Sequence, residues 1–286
     1  MFEVSANLLN QVLEHFDREL LLITDERSLS FLEFFSETHT LSKSFKINTQ
    51  ERIILCSENQ EFVLKSMLAL WMLGAVAVPL NPKFPYSQKN ELIQKIDGID
   101  DANFFADFQR LSQNNTNRSD QPKSLEMPQT QQLIDPEAWA TILFTSGSTG
   151  SPKAVVHSLS SHFFSALGAN ELMPLYPGDR WLLSLPLYHV GGLAIFFRTL
   201  LSGAAMVIPS KNKSLMETLQ SQKVTHLSLV PTQLQRLLQT SLGKDNLRRI
   251  KIILLGGATI PKPLLEQTSE LGLNVQTTYE IGRAHV

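Results

Sequence analysis

The sequence predicts an α/β protein built on mainly parallel sheets flanked by helices. Two observations carry this. Short apolar runs alternate with longer runs at helical period along most of the chain. The strand-like run Arg52–Ser57 is apolar almost throughout, as a parallel strand covered on both faces requires. Ligands in such folds gather beyond the carboxyl ends of the strands.

Taken in order, Leu8, Leu9, Val12, Leu13 and Phe16 fall at helical spacing and predict a first helix. Glu19–Thr24 reads as a strand and Ser30–Leu41 as a helix, capped by Ser28 or Ser30. Arg52–Ser57, Glu61–Gly74 and Ala75–Leu80 form one β-α-β unit, with Gly74 as the helix stop. Asn81–Pro85 turns the chain, and Ser87–Ile96 is a short helix. Asp107–Pro136 is rich in Asn, Gln, Ser, Thr and Pro, and reads as a long surface excursion or linker. Ala140–Phe144 and Ala154–His157 then read as strands joined by a polar loop. The next segments are a helix Ser160–Met173, a strand Arg180–Leu185, a helix Gly191–Ser202 and a strand Ala204–Ile208. A helix Ser214–Gln222, a strand Val224–Val230 and a helix Thr232–Gln239 follow. The pattern ends with a strand Ile250–Leu255, a helix Ile260–Leu271 and a strand Asn274–Thr278.

A length of 286 residues allows one large domain, or subdomains of about 1–180 and 181–279. A hydrophobic fraction of 43% with 18% charged residues suits a sizeable core. The net charge of −2 gives no electrostatic case for nucleic acid or an anionic membrane. Cys56 is the single cysteine, which excludes an internal disulfide and a thiolate metal cluster. Its apolar setting predicts a buried small hydrophobe. Ser66–Leu80 and Trp181–Phe197 fall short of the ~20 apolar residues of a membrane span, so both read as core. The N-terminus lacks the basic start and apolar segment of a signal peptide, and the expected compartment is the cytoplasm. The sequence does not set the oligomeric state.

The chain is organised around the loop Thr145-Ser146-Gly147-Ser148-Thr149-Gly150-Ser151-Pro152-Lys153. Glycines allow close backbone approach to a ligand, the hydroxyls and amides can donate to anionic oxygens, and Lys153 adds charge. Two readings follow, a polar surface turn and a polyphosphate cradle. The loop is not the ATPase P-loop, because Ser151 and Pro152 separate Gly150 from Lys153.

This segment resembles the phosphate-binding signature of the adenylate-forming ligases, which include acyl-CoA synthetases and peptide-synthetase adenylation domains. Other stretches resemble blocks of the same family in the same order. They are Gly74–Pro82, Leu185–Leu193, Val230-Pro231-Thr232 and Gly256-Gly257-Ala258. The resemblance covers roughly residues 50–280. It implies an incomplete N-terminal large domain over 1–279, with the C-terminal lid absent. The implied reaction uses ATP, Mg²⁺ and coenzyme A to convert a small carboxylic acid to an acyl-adenylate and then a thioester.

The resemblance also implies site residues. Thr145, Ser146, Gly147, Ser148, Thr149, Gly150 and Lys153 would hold the ATP phosphates. Gly256, Gly257 and Ala258 would lie against the adenine; a plain strand-to-helix turn is the other reading. His189 and Lys153 would be catalytic, with His189 at the junction of nucleotide and acid pockets. A lone histidine bonding a backbone carbonyl is the alternative for His189. His189, Gly191, Gly192 and Arg198 would line the acid pocket. The run Leu185–Gly203 is most similar to the o-succinylbenzoate–CoA ligases of quinone biosynthesis, whose substrate carries two carboxylates. Arg198, alone in an apolar helix, would then recognise the carboxylate that is not activated; a surface charge or structural ion pair is its other reading.

The chain departs from the pattern near its end. Where the family has Tyr-Gly-x-Thr-Glu, with a glutamate that holds Mg²⁺, this sequence reads Tyr279-Glu280-Ile281. No metal ligand is therefore assigned. Residues 280–286 resemble the translated read-through of a sequencing adapter and read as a non-native tail. The family's ribose aspartate and lid lysine would lie beyond the end, so the chain as written is expected not to make acyl-CoA. Another aryl or fatty acyl-CoA ligase, or a non-catalytic nucleotide-binding module, are the competing readings.

Overall fold

A computed structural model of the chain describes residues 8–96, 135–145 and 152–278. The expected alternation is present. The elements are α1 (Leu8–Phe16), β1 (Leu20–Ile23), β2 (Ser28–Ser30), α2 (Phe31–Ser42), β3 (Arg52–Leu55), α3 (Gln60–Met72), β4 (Val76–Pro79) and α4 (Tyr86–Gln94). After the undescribed stretch come β5 (Trp139–Thr145), β6 (Lys153–Ser158), α5 (Leu159–Leu172), β7 (Arg180–Leu182), α6 (Val190–Ser202), β8 (Ala205–Val207) and α7 (Leu215–Ser221). The last are β9 (His226–Leu229), α8 (Pro231–Leu238), α9 (Ser241–Arg248), β10 (Ile252–Leu255), α10 (Lys262–Glu270) and β11 (Val275–Thr277).

Two sheets form. The larger runs β11-β10-β9-β7-β8-β1-β2, parallel except for the β1–β2 hairpin. The smaller runs β3-β4-β5-β6, with β3, β4 and β5 parallel and β6 antiparallel to β5. The chain passes from the smaller to the larger sheet near residue 180, but β1 and β2 also belong to the larger one. The return of β1 to the edge of β8 is a pairing too distant in sequence to be read from local pattern.

Local chemistry explains the elements. Ser30 and Glu33 form a reciprocal capping box that starts α2, and Ser214 and Glu217 do the same for α7. Gly74 ends α3 at φ +71, a conformation that costs a residue with a Cβ. Helices α3 and α6 lie in one core that draws on both sheets. There the Trp71 ring stacks on Phe197 at 5.5 Å, while its indole N–H donates to Ala140 O at 2.8 Å. That pair links α3, α6 and β5.

Three expectations change. The strand at Arg180 ends at Leu182, not Leu185. Ser184 turns the chain there, its hydroxyl bonding Ser228 O, and Pro186 has no N–H to give a ladder. Helix α9 was not expected, because its residues are polar and include Gly243. Thr240 caps it by accepting from Gly243 N at 3.0 Å, and a Cβ at Gly243 would sit 2.0 Å from Leu237 O. Cys56 is half-buried rather than fully buried, since it lies just past β3, although it still packs on the core beside Ile54. Most of the surface excursion expected at 107–136 lies outside the described residues, as does the tail 280–286. Among the described residues, no helix is long and apolar enough to cross a membrane.

Candidate active site

The order of the larger sheet sets where a ligand can sit. The chain moves from β7 outward to β8, then crosses back to place β9 on the other side of β7. Connections above β7 and β9 therefore diverge and leave a crevice at their carboxyl ends. The segments after β7, β9 and β10 are those that carry His189, Val230-Pro231-Thr232 and Gly256-Gly257-Ala258.

The turn after β7 is tied on two sides. Ser184 Oγ donates to Ser228 O on β9, and Leu187 N donates to Gln60 Oε1 at the start of α3, 3.3 Å away. His189 is the cap residue of α6, with extended backbone (φ −112, ψ 144). Its carbonyl accepts from Gly192 N and Leu193 N, both at 3.1 Å. Its exposed ring lies 4.7 Å from the Tyr188 ring. Gly191 and Gly192 open the helix. A Cβ on Gly192 would lie 2.2 Å from Pro186 O, and one on Gly191 would touch Leu185 Cδ1 at 3.0 Å. Packing of the helix start on its own turn thus requires glycine at 192, whatever the ligand.

Gly256 and Gly257 follow β10. A Cβ at Gly256 would lie 2.2 Å from Thr278 Cγ2, and Gly257 has φ +78. Gly256 is buried and Ala258 exposed, so the segment emerges from the sheet as a turn with backbone groups at its surface.

Thr145 and Lys153 close the ladder between β5 and β6, both exposed. Ser146, Gly147, Ser148, Thr149, Gly150 and Ser151 lie outside the described residues. The expectation that this loop joins two strands, with a helix starting only near Ser160, is met by β5, β6 and α5.

Arg198 is half-buried two turns into α6. Among the described residues no carboxylate lies within ion-pair distance of it, and its buried Nε has no hydrogen-bond partner. Its guanidinium carbon lies 5.1 Å from the centroid of the Trp181 ring on β7. Burial pushes its pKa down to about 10, so it remains a cation at neutral pH. A desolvated cation without a counter-ion is costly, and a face-on indole returns only ~0.5–2 kcal/mol. The arrangement suits an anion that arrives from outside the chain. Sequence reading missed Trp181 and also Asn170, whose Nδ2 donates to Arg198 O at 3.2 Å while its buried Oδ1 has no partner among the described residues. Nothing in spacing alone pairs β7 or α5 with Arg198. Among the described residues no cluster of three His, Cys, Asp or Glu could hold a metal.

With this geometry in place, comparison with known proteins identifies the relatives. The 2-succinylbenzoate–CoA ligase of Salmonella typhimurium is 37% identical over 232 residues, which cover 79% of this chain and 47% of that protein. The enzyme of the same name from Haemophilus influenzae is 34% identical over 269 residues, covering 92% of this chain and 55% of that one. The o-succinylbenzoate coenzyme A synthetase of Bacillus subtilis, solved in complex with ATP and magnesium ion, superposes with a TM-score of 0.73 at 25% identity, over 93% of this chain and 58% of that one. The chain thus spans about half the length of these relatives. A model of the AMP-binding enzyme family matches residues 9–279. The chain belongs to the AMP-binding enzyme family.

Proposed function

We propose that this chain is the nucleotide- and acid-binding part of an ATP-dependent acid–CoA ligase whose acid is 2-succinylbenzoate, in menaquinone or phylloquinone synthesis. The observation that carries the substrate is Arg198, a half-buried cation with no acid partner among the described residues. It stands nine residues along α6 from His189, about 13 Å at 1.5 Å per residue. A dicarboxylic acid would reach from one to the other. A fatty acid would leave the guanidinium unpaired.

In the proposed reaction a carboxylate oxygen attacks the α-phosphorus of ATP, and pyrophosphate leaves. The sulfur of CoA then attacks the acyl carbon, its proton is lost, and AMP leaves. The first step brings two anions together, so positive charge and hydrogen-bond donors must stand near the phosphates. Lys153 and the hydroxyls of Thr145, Ser146, Ser148 and Thr149 would supply them, with Gly147 and Gly150 admitting the backbone. ATP would bring Mg²⁺ on its own phosphate oxygens. Gly256, Gly257 and Ala258 offer a backbone surface to adenine, and His189 orients the attacking carboxylate. A reaction that consumes ATP and CoA suits the cytoplasm, where both are at hand.

The test is thioester formation from ATP, Mg²⁺, CoA and 2-succinylbenzoate by the full protein that contains this chain. Turnover of the dicarboxylate is expected, and Arg198→Leu should raise its KM at least tenfold through the loss of one charge-assisted contact, ~1.5–3 kcal/mol. Turnover of a fatty acid with none of 2-succinylbenzoate would overturn the substrate.

A further inference from the structure

Among the described residues the buried Nε of Arg198 has no hydrogen-bond partner and no carboxylate reaches the guanidinium. What it does have is Trp181, and Trp181 is immobilised. The ring is fully buried. Its indole N–H donates to Ser228 Oγ at 3.1 Å. The His226 ring lies 5.3 Å from it at 32°. Its backbone is paired on both sides, with Met206 on β8 and His226 on β9. Ser228 is itself fixed, as its carbonyl accepts from Ser184 Oγ in the turn that leads to His189. One chain of contacts therefore joins the helix start to the shelf beneath Arg198.

We propose that Trp181, anchored by Ser228, is a positioning residue that holds the Arg198 guanidinium ready for a substrate carboxylate and so sets the preference for dicarboxylic over monocarboxylic acids. This rests on the proposed role of Arg198. The indole face attracts the cation without neutralising it, which a carboxylate in that place would do. It also presents no hydrogen-bond acceptor, so the guanidinium N–H groups stay available to the ligand. Ser228 fixes the rotation of the indole, and with it the plane on which the guanidinium rests.

The experiment compares affinities of the chain for 2-succinylbenzoate and for 4-oxo-4-phenylbutanoate, which lacks the ring carboxylate. Isothermal titration is run on the parent, Trp181→Leu, Trp181→Phe, Ser228→Ala and Arg198→Leu, with melting curves to check folding. The parent is expected to favour the dicarboxylate. Trp181→Leu should shrink that preference by about three- to thirtyfold, the weight of one cation–π contact, and leave the monocarboxylate nearly unchanged. Trp181→Phe keeps an aromatic face and should retain most of the preference; Ser228→Ala should fall between. A merely structural role would weaken both acids equally, and that result overturns the inference. Should Trp181→Leu not fold, the same comparison on Trp181→Phe and Ser228→Ala decides, and an unchanged preference in both counts against it. If Arg198→Leu abolishes the preference while every Trp181 and Ser228 variant keeps it, the positioning role is wrong and the role of Arg198 stands. If Arg198→Leu keeps the preference, or the parent shows none, the role of Arg198 fails and the inference with it.

Discussion

Thr145 and Lys153 are direct partners in the β5–β6 ladder, the last described pair before the glycine-rich loop. Opposed residues of an antiparallel pair point to the same face of the sheet. The lysine ammonium and the threonine hydroxyl thus rise together at the mouth of the loop.

That pairing predicts the effect of Lys153→Ala. The residue is exposed, so its removal should leave the fold unchanged. Loss of one charge-assisted contact to phosphate should weaken ATP binding by ~1.5–3 kcal/mol, roughly tenfold to a hundredfold. Titration of ATP into the parent and the variant measures it. Equal affinities would remove Lys153 from the nucleotide site.

A second prediction concerns Gly192. A Cβ there would meet Pro186 O at 2.2 Å, and that neighbour is backbone, which cannot swing aside. Gly192→Ala should destabilise the chain by about 1–3 kcal/mol and shift the His189 turn with it. Gly168→Ala is the control, since a Cβ at that exposed helical position meets nothing within 4 Å. It should be neutral or slightly stabilising. Urea denaturation of the two variants would settle the matter, and equal midpoints would refute the packing argument.

Gly192 also shows where sequence reading loses resolution. A glycine beside a proposed pocket can serve a ligand or its own backbone, and the letter is the same. Gly192 turns out to be required by neighbouring backbone atoms and Gly257 by φ +78, while at Gly256 a Cβ would meet the side-chain methyl of exposed Thr278. Helix starts were more legible. Ser30 with Glu33 is a local motif whose whole chemistry lies within four residues. The β3-α3-β4 unit was legible for a similar reason, as its pairing partners are successive strands. The bond from β1 to β8, and the contact of Trp181 with Arg198, join segments that only the fold brings together. Arg198 could be singled out as an anomaly in an apolar run, but not the ring that supports it.

The hairpin and the helix pair beneath it predict a third outcome. Lys65 is buried and bonds Glu61 at 2.6 Å, and Arg27 on the β1–β2 turn also reaches Glu61. Burial acts to raise the Glu61 pKa, but Lys65 and Arg27 prevail and hold it below its ordinary value. Glu61→Gln leaves the Lys65 ammonium buried with Glu37 as its remaining partner. The expected loss is about 1–2 kcal/mol, below the ~3–5 kcal/mol of stranding a buried charge, because Lys65 keeps Glu37. Glu61→Met combined with Lys65→Met should recover most of it, because no buried ammonium is left short of a partner. A double variant less stable than Glu61→Gln would show that the ion pair itself, and not the weakened pairing of Lys65, matters.

The last prediction rests on His162. Its ring stacks on Phe197 at 4.6 Å and 8°, and the ring of His157 lies 5.1 Å away. Among the described residues its buried Nε2 has no partner, so a proton added there would find no acceptor among them. Burial, reinforced by the charge His157 would carry, pushes the His162 pKa from 6.5 down to about 3. The sign follows from linkage. Above the ordinary value both folded and unfolded chains hold a neutral imidazole, and His162 contributes no pH dependence. Below it the unfolded chain takes up a proton that the folded chain refuses, so stability falls as pH drops from 6.5 toward 3. At ~1.4 kcal/mol per pH unit, the share due to His162 between pH 7 and pH 5 is about 2 kcal/mol. His162→Phe keeps a flat ring against Phe197 and removes the proton site. Its unfolding free energy should therefore decline less on acidification than that of the parent, by about that 2 kcal/mol. His157 titrates in both proteins, its own pKa also lowered by burial, and cancels from the comparison. Denaturant unfolding of parent and variant at pH 7 and pH 5 measures the difference. Parallel declines would mean that His162 accepts its proton in the folded chain, and that the core around Phe197 opens to water more readily than its packing implies.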